Sequence, residues 1–261
     1  MNINISLYIF LGIFLTSILI EALYGYYNNK KLYNSKDTLV NVFFGVSGIL
    51  NRALTKGIWL AIWIYLYQYS FIKIPINVWS YVFLFFANEF VYYWFHRLSH
   101  ENRILWAVHV NHHSSEFLNF STAARIPFFN LILHNIFWIP LLIVGFDPIM
   151  IFEVENIGFL FAFAQHTQVV KNYSFLDCFL NSPSHHRVHH ASNTEYLNKN
   201  YGNVLIIFDR IFGTFVKERQ DLEIKYGLTT NVKSYNPIKL IFHEWFDILK
   251  NKKNDDDSNH N

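Results

Sequence analysis

The sequence predicts an all-α fold in which about five membrane-embedded helices are topped by a cytosolic cap of helices rich in histidine. Two features of composition and pattern predict it. Hydrophobic residues make up 52% of the 261 residues and charged residues only 15%, whereas a soluble domain carries roughly 25% charged residues. Several apolar stretches also approach the roughly 20 residues that a helix needs to cross a bilayer.

The first two predicted spans lie in the N-terminal third. Ile3–Tyr27 carries one charged residue, Glu21, and it lacks the basic start and cleavage site of a signal peptide, so we predict a retained span. The next apolar region, residues 39–72, is interrupted by Arg52 and Lys56. Its most apolar part, residues 57–72, is short for a span, so part of this region is expected to lie in the interface or to re-enter the membrane.

Three further spans are predicted at residues 74–95, residues 126–146 and Pro148–Gln165, with Asp147-Pro148 as the turn between the last two. With five crossings, the loops rich in Lys and Arg all fall on one side. Basic loops mark the cytoplasmic side, so the sequence predicts a multi-pass membrane protein with its N-terminus outside and its histidine-bearing face in the cytoplasm.

The chain divides into three predicted regions: N-terminal spans at 1–87, a catalytic domain at 88–227 and a cytosolic C-terminal tail at 228–261. Residues 203–215 are expected to form an amphipathic helix on the membrane, and residues 250–261 are expected to be disordered. Cys178 is the single cysteine, which excludes a disulfide framework and a Cys-based zinc site. The net charge of +2 gives no support for nucleic-acid binding.

Histidine is the residue whose placement is most informative. Five histidines lie within residues 96–113 and four within residues 185–190. An even spread of the chain's 13 histidines would put roughly one in those two segments. The clustered histidines, with His166 at the end of the fifth predicted span, are the candidate metal ligands: His96, His100, His109, His112, His113, His166, His185, His186, His189 and His190.

The spacing of these histidines gives the clusters a physical meaning. Residues three or four apart share one face of a helix, so His96 and His100 can point at one site, while adjacent histidines diverge and can reach two ions. Imidazole suits iron, copper, zinc and nickel, and nine or more nitrogens exceed the ligand number of one ion. The sequence therefore predicts two metal ions. The isolated His134, His243 and His260 are not expected to be ligands.

Two known metal-site patterns are absent from the sequence. No Glu is followed by a His three positions later, as in carboxylate-type di-iron bundles, and His243-Glu244 lacks the second histidine of a zinc-protease motif. Two other interpretations of the histidines stay open: a zinc-binding or zinc-transporting membrane protein without redox chemistry, and histidines that merely pack.

The histidine segments resemble the fatty acid hydroxylase/sterol desaturase superfamily, and residues 200–215 resemble its alkylglycerol monooxygenase branch with its bacterial relatives. The motifs that carry this resemblance are EFVYYWFHRLSH at 89–100, LWAVHVNHHSS at 105–115, QHTQ at 165–168, SPSHHRVHH at 182–190 and NYGNVLIIFDRIFGTF at 200–215. Glu89 departs from the Asp common in relatives. Ile126-Pro127 departs from the polar residue usual in the alkylglycerol branch.

This resemblance implies a non-haem di-iron oxygenase of the membrane that hydroxylates a lipid C–H bond with O₂. It implies nine of the candidate histidines as ligands, with His185 the weaker candidate. If the hydroxylated carbon lies next to an ether oxygen, the product collapses and the ether is cleaved. Sterol, carotenoid or fatty-chain desaturation on the same metal core is the alternative. The resemblance also implies an external electron donor, which is a reduced pterin or a cytochrome or ferredoxin.

Four further residues are predicted to support the site. Glu89 lies seven positions before His96 on the same helical face, so we expect its carboxylate to hold a ligand imidazole in one tautomer. Arg97, Arg125 and Arg187 lie beside the histidine clusters. These arginines are expected either to bind a lipid headgroup or acidic cofactor or to anchor the chain at the membrane interface.

Overall fold

The structure, a computed structural model, describes residues 3–126 and 129–250, and it confirms the all-α prediction for these residues. The described part contains helices, short 3₁₀ turns and loops, and its only β-type pairings are two isolated bridges, Leu180 with Leu205 and Ala191 with Tyr226. The ten α-helices of the described residues are α1 Ile3–Tyr27, α2 Ser35–Tyr67, α3 Val78–Glu101, α4 Arg103–His113, α5 Asn130–Phe137, α6 Ile139–Val144, α7 Pro148–Gln165, α8 Pro183–His189, α9 Ile207–Phe212 and α10 Pro237–Leu249.

The second and fourth predicted spans differ from the helices observed. The basic residues Arg52 and Lys56 do not interrupt α2, which continues through 33 residues and is therefore about 50 Å long. The fourth span is divided at Trp138 into the short helices α5 and α6, with Pro140 in the first turn of α6. A proline is tolerated there because the first helical amides have no intrahelical acceptor.

One described helix, α7, is long and apolar enough on its own to cross a membrane. Asp147 caps it by accepting the backbone N–H of Ile149 at 2.8 Å, as the Asp147-Pro148 turn predicts.

The main hydrophobic core lies where α2, α3, α6 and α7 meet. Trp63, Leu84, Leu142 and Ile151 are fully buried there. Trp138 joins this core, and its indole N–H donates to the side chain of Asn88 at 2.7 Å. These contacts fix α3 and α7, which carry His96, His100 and His166 at or near their C-terminal ends, relative to each other.

A single residue reverses the chain between α3 and α4. Asn102 ends α3, and its side chain accepts the backbone N–H groups of Ile104 and Leu105 at the start of α4. Helices α3 and α4 then pack closely against each other. The histidines at the end of α3 consequently face those of α4.

The remaining elements complete a cap beside the ends of α3 and α7. The predicted amphipathic helix over 203–215 is wrong. Only Ile207–Phe212 is helical, and the side chain of Asp209 is fully buried rather than facing water.

Helix α10 packs against α4 and α2. The predicted disorder of residues 250–261 concerns a segment that, beyond Lys250, lies outside the described residues.

Candidate metal centre

Nine of the predicted ligands come together in two neighbouring groups. The five-histidine group contains His96, His100, His109, His113 and His189, and the four-histidine group contains His112, His166, His186 and His190. Within each group, one ligand atom of every residue lies within 4.8 Å of all the others. Seven of these side chains are buried, and His100 and His112 are half-buried.

Adjacent histidines contribute to different groups. His112 and His113 divide between the two groups, and so do His189 and His190. Successive residues of a helix point about 100° apart, so a pair of neighbours can reach two sites. Helices α4 and α8 each supply both groups, which keeps the two groups side by side.

Backbone carbonyls fix the tautomer of four of these imidazoles. The Nδ1 atoms of His96 and His189 lie 2.8 and 3.0 Å from the carbonyl oxygens of Tyr201 and Lys199. The Nδ1 atom of His112 lies 3.2 Å from the Arg125 carbonyl oxygen. His166 uses the carbonyl of Ala162, at 2.8 Å. Because a carbonyl only accepts, each Nδ1 carries the proton and each Nε2 presents a lone pair.

These lone pairs face one another. The Nε2 atoms of His112 and His166 are 3.4 Å apart, and those of His166 and His186 are 3.0 Å apart. His112 and His166 hold their protons on Nδ1, so no proton lies between their Nε2 atoms when both rings are neutral. Two facing lone pairs repel unless a cation lies between them. The donor set therefore fits a bound metal ion better than a hydrogen-bonded cluster.

Burial keeps the nine imidazoles in the form that binds metal. Removal from water lowers the pKa of every one of them, because it disfavours the charged form. The pKa of His96 and that of His166 fall to about 4. At neutral pH the rings are uncharged, as metal ligation requires.

Comparison with known proteins gives the same region a family. Residues 81–214 match the family model described as fatty acid hydroxylase, which is just over half of the 261-residue chain. The chain belongs to the fatty acid hydroxylase family. The match begins in α3 and ends beyond α9, so it contains all nine grouped histidines.

Several relatives of the chain are named alkylglycerol monooxygenase. The human protein is 40% identical over 215 residues, which cover 81% of this chain and 47% of the relative. The Caenorhabditis elegans protein is 42% identical over 175 residues, 66% of this chain and 34% of the relative. The ornithine lipid hydroxylase OlsE of Rhizobium tropici is 30% identical over 145 residues, 55% of this chain and 44% of the relative. The chain spans about half the length or less of these relatives, and no solved structure shows significant similarity to it.

Glu89 supports the centre through a loop rather than through an imidazole. Its Oε2 atom accepts the backbone N–H groups of Val204 and Leu205, both at 2.8 Å. The expected hydrogen bond from Glu89 to a ligand histidine is therefore replaced by one that anchors the loop carrying Tyr201. The carbonyl of Tyr201 in turn holds His96.

Asp209 organises the same loop, and the sequence analysis missed it. Its carboxylate accepts the backbone N–H groups of Tyr201 and Gly202, each at 2.7 Å. A side chain at Gly202 would collide with the Leu205 carbonyl. The signal available in the sequence was an acidic residue within an apolar run of the family motif, which the amphipathic interpretation assigned to water.

The guanidinium group of Arg125 is engaged inside the protein. It donates to Asp37, Asn41 and Ser114 at 2.6–2.8 Å, and its side chain is 1% exposed. The buried pair with Asp37, a residue the sequence analysis missed, fixes the segment whose carbonyl meets His112. Because the side chain is buried, its contacts give no support to the predicted headgroup-binding role.

The other two arginines are also engaged. Arg187 donates to Glu218 and to the carbonyls of Thr167, Val170 and Lys171. Its link to Thr167 ties α8 to the residue after His166. Arg97 pairs with Glu101 at 2.8 Å and contacts the Tyr93 hydroxyl. The guanidinium groups of both arginines face protein partners, so the predicted cofactor-binding role finds no support in their contacts.

His185 is the one predicted ligand that lies outside both groups. Its Nδ1 atom accepts the backbone N–H of Ser182 at 3.4 Å, which closes a cap at the start of α8. Its Nε2 atom lies 4.0 Å from Asp177. The isolated His134 and His243 also lie outside the groups. His134 stacks on Trp138, His243 is on α10, and His260 lies outside the described residues.

Proposed function

We propose that the chain is a membrane-embedded lipid oxygenase that holds two iron ions, one in each histidine group, and inserts one atom of O₂ into a lipid C–H bond. The observation that carries this proposal is the pair of adjacent histidine groups, neither of which includes a carboxylate among the described residues. Bound iron ions supply O₂ activation. Neutral imidazoles leave the charge of such ions uncompensated, which favours an electrophilic centre.

The protein's own residues hold the ligand rings of this centre in place. The carbonyls of Tyr201, Lys199, Arg125 and Ala162 hold four ligand rings with their Nε2 atoms free for metal. A cavity of about 30 Å³ lies against His100, His113, His189 and His190. A volume of this size admits a molecule such as water or O₂ but not a lipid chain.

Exposed apolar side chains support the membrane setting. Leu19 and Ile20 on α1, Leu54 on α2, Phe83 on α3 and Leu160 on α7 are each at least 51% exposed. Soluble monomers rarely expose apolar surface on this scale. We propose that α1, α2, α3, α5–α6 and α7 are embedded and that the histidine-bearing cap faces the cytoplasm, because the basic loops lie on that side.

The substrate class that we propose is an ether lipid of the alkylglycerol type. The relatives named alkylglycerol monooxygenase are 35–42% identical over the aligned parts. The ether-bearing C–H carbon would gain a hydroxyl group, the second oxygen atom would leave as water, and a donor would supply two electrons with two protons from solvent. The resulting hemiacetal would break its C–O bond to give a fatty aldehyde and glycerol. We propose a reduced pterin as donor, with a cytochrome or ferredoxin as the alternative.

A second candidate is simple hydroxylation of another lipid without cleavage. The similarity to the ornithine lipid hydroxylase OlsE favours it. Desaturation on the same core and zinc binding without redox chemistry are the further alternatives that the experiment below separates.

The test uses the purified full chain in lipid, loaded with ferrous iron and supplied with an alkylglycerol, O₂ and a reduced pterin. Release of a fatty aldehyde supports ether cleavage. A stable hydroxylated lipid from an ornithine lipid, with no aldehyde, would transfer the proposal to the second candidate. A new double bond in the product would show desaturation. Zinc as the bound metal, with no turnover after iron loading, would remove the oxygenase proposal.

A reporter fused after Asn261 tests the proposed orientation. The N-terminus is proposed to lie outside, and five crossings then place the C-terminus in the cytoplasm. The reporter should therefore be active only in the cytoplasm. Activity of an export-dependent reporter at this position would contradict the five-crossing arrangement and would separate the cap from cytosolic reductants.

A further inference from the structure

Helix α10 is apolar on two opposite sides, and only one of those sides is covered by protein. Leu240 is buried against Val40 and Phe44 of α2, and Glu244 pairs with Arg103 of α4 at 3.1 Å. Ile238, Phe242, Phe246 and Leu249 are exposed. Their spacing of four, four and three residues places them on one stripe, turned away from the face that packs.

The polar residues of α10 occupy a narrow flank between these two faces. Lys239, His243 and Asp247 follow one another at intervals of four residues. A water-facing helix would place such residues where the exposed stripe lies. The arrangement of one packed face, one bare apolar face and one polar flank is typical of a helix that lies in the plane of a membrane surface.

The surroundings of the stripe point to lipid as its partner. Phe129, at the start of α5, meets Phe242 and Trp245 edge-on, with ring centroids 6.1 and 6.0 Å apart. Leu39 and Phe43 of α2 are exposed beside the residues of α2 that α10 covers. The stripe thus adjoins the start of α5, one of the helices proposed to enter the membrane.

Two lysines flank the stripe in positions suited to lipid headgroups. Lys239 and Lys250 are exposed at its edge and at its C-terminal end. Lysine side chains on an interfacial helix run their carbon chains along apolar surface and place their ammonium groups among phosphates.

We propose that α10 is a membrane-surface helix whose exposed stripe inserts into the acyl boundary of the cytoplasmic leaflet. This inference rests on the proposed membrane embedding and extends it to a region beyond the family match. Because the other face of α10 packs on α4, the helix that supplies three of the nine histidines would rest on a support held by lipid.

The test measures the surroundings of single nitroxide labels on the full chain in vesicles of phosphatidylcholine and phosphatidylglycerol. Exposed Cys178 is first replaced by Ser, and single cysteines are then introduced as Phe242→Cys on the stripe, Lys239→Cys on the polar flank and Leu160→Cys on α7. Collision with O₂, which concentrates in lipid, is compared with collision with a water-soluble nickel chelate.

The label at position 242 should match the one at position 160, with a ratio of O₂ to nickel collisions several-fold higher than at position 239. A water-like ratio at 242 beside a lipid-like ratio at 160 would overturn the inference and leave the membrane proposal standing. Water-like ratios at both positions would overturn both. Protection of position 242 from both reagents, with spin–spin broadening, would show a second copy of the chain on the stripe and would also overturn the inference.

Discussion

The two histidine groups differ in what holds them. In the five-histidine group, His96 and His189 are fixed by carbonyls of the loop that contains Lys199 and Tyr201, and Asp209 and Glu89 anchor that loop. In the four-histidine group, His112 is fixed by Arg125, which depends on Asp37 of α2. Each group therefore has its own supporting network, although α4 and α8 supply ligands to both.

Because the two networks differ, we expect that one metal site can be weakened without the other. A residue that holds a ligand ring by a hydrogen bond affects the metal affinity of that ligand's group. A ligand affects the affinity for its own ion directly. Adjacent residues that belong to different groups therefore provide matched pairs of variants.

The largest effect is expected from such a pair, His189→Ala and His190→Ala. His189 belongs to the five-histidine group and His190 to the four-histidine group. Each variant should lose turnover by more than about 100-fold, since loss of a residue behind a ligand already costs about 10–100-fold. Metal analysis should show one ion retained in each variant, and His113→Ala and His112→Ala should repeat the pattern. Loss of both ions from every variant would show that the groups form one indivisible site.

A smaller and selective effect is expected from Asp209→Asn and Asp37→Asn. In Asp209→Asn the new amide nitrogen cannot accept an N–H, so one of the amides of Tyr201 and Gly202 loses its partner. Asp37→Asn removes the charge that balances buried Arg125. Metal titration should show about 10–100-fold weaker binding at one site in each variant. Equal weakening of both sites by either variant would contradict the separation of the two networks.

Acid should lower the folding stability of the metal-free chain through histidines of both groups. The pKa of His96 and that of His166 are lowered to about 4 from an ordinary 6.5. Between these values the unfolded chain binds more protons than the folded one, so folding stability rises with pH and falls as pH drops below about 6.5. Each such histidine contributes about 1.4 kcal/mol per pH unit inside this window. Thermal unfolding of the metal-free chain from about pH 7.5 to about pH 5, which spans the upper part of the window, checks this. A flat profile would contradict the buried neutral state.

The smallest effects are expected from His185→Ala and His243→Ala. His185 is adjacent to a grouped histidine, yet its Nδ1 atom caps α8, so its removal should cost about 0.5–1.5 kcal/mol of stability and no metal. His243 lies on α10 with its Nδ1 atom near the Leu240 carbonyl. Both variants should retain two ions and turnover, and loss of an ion from His185→Ala would place it back among the ligands.

The sequence predicted the histidines that converge because their spacing is local. Intervals of three and four residues define a helical face, and adjacent pairs imply two directions. The division into groups required the tertiary structure, since His96 and His189 meet from helices far apart in the chain. Asp37 and Arg125 are separated by 88 residues, and no local pattern joins them. The arginines were misinterpreted for the same reason, because their protein partners become visible only when the chain is folded.

The helical body shows the same limit. The start of α7 follows directly from Asp147-Pro148 and an apolar run, and it was predicted. The continuity of α2 through Arg52 was not predicted. In the structure, Arg52 donates a hydrogen bond to Asn156 of α7 at 3.1 Å. A charged residue interrupts the apolar pattern of a sequence, but arginine is a good helix former and does not end the helix.

Metal content per chain tests the central claim most directly. The full chain, purified in lipid or mild detergent and reconstituted with ferrous iron under reducing conditions, should bind two iron ions with comparable affinity, and each should be lost separately in the His189→Ala and His190→Ala variants. A chain that takes up a single zinc ion and no iron would contradict the account of two histidine groups as a paired iron centre.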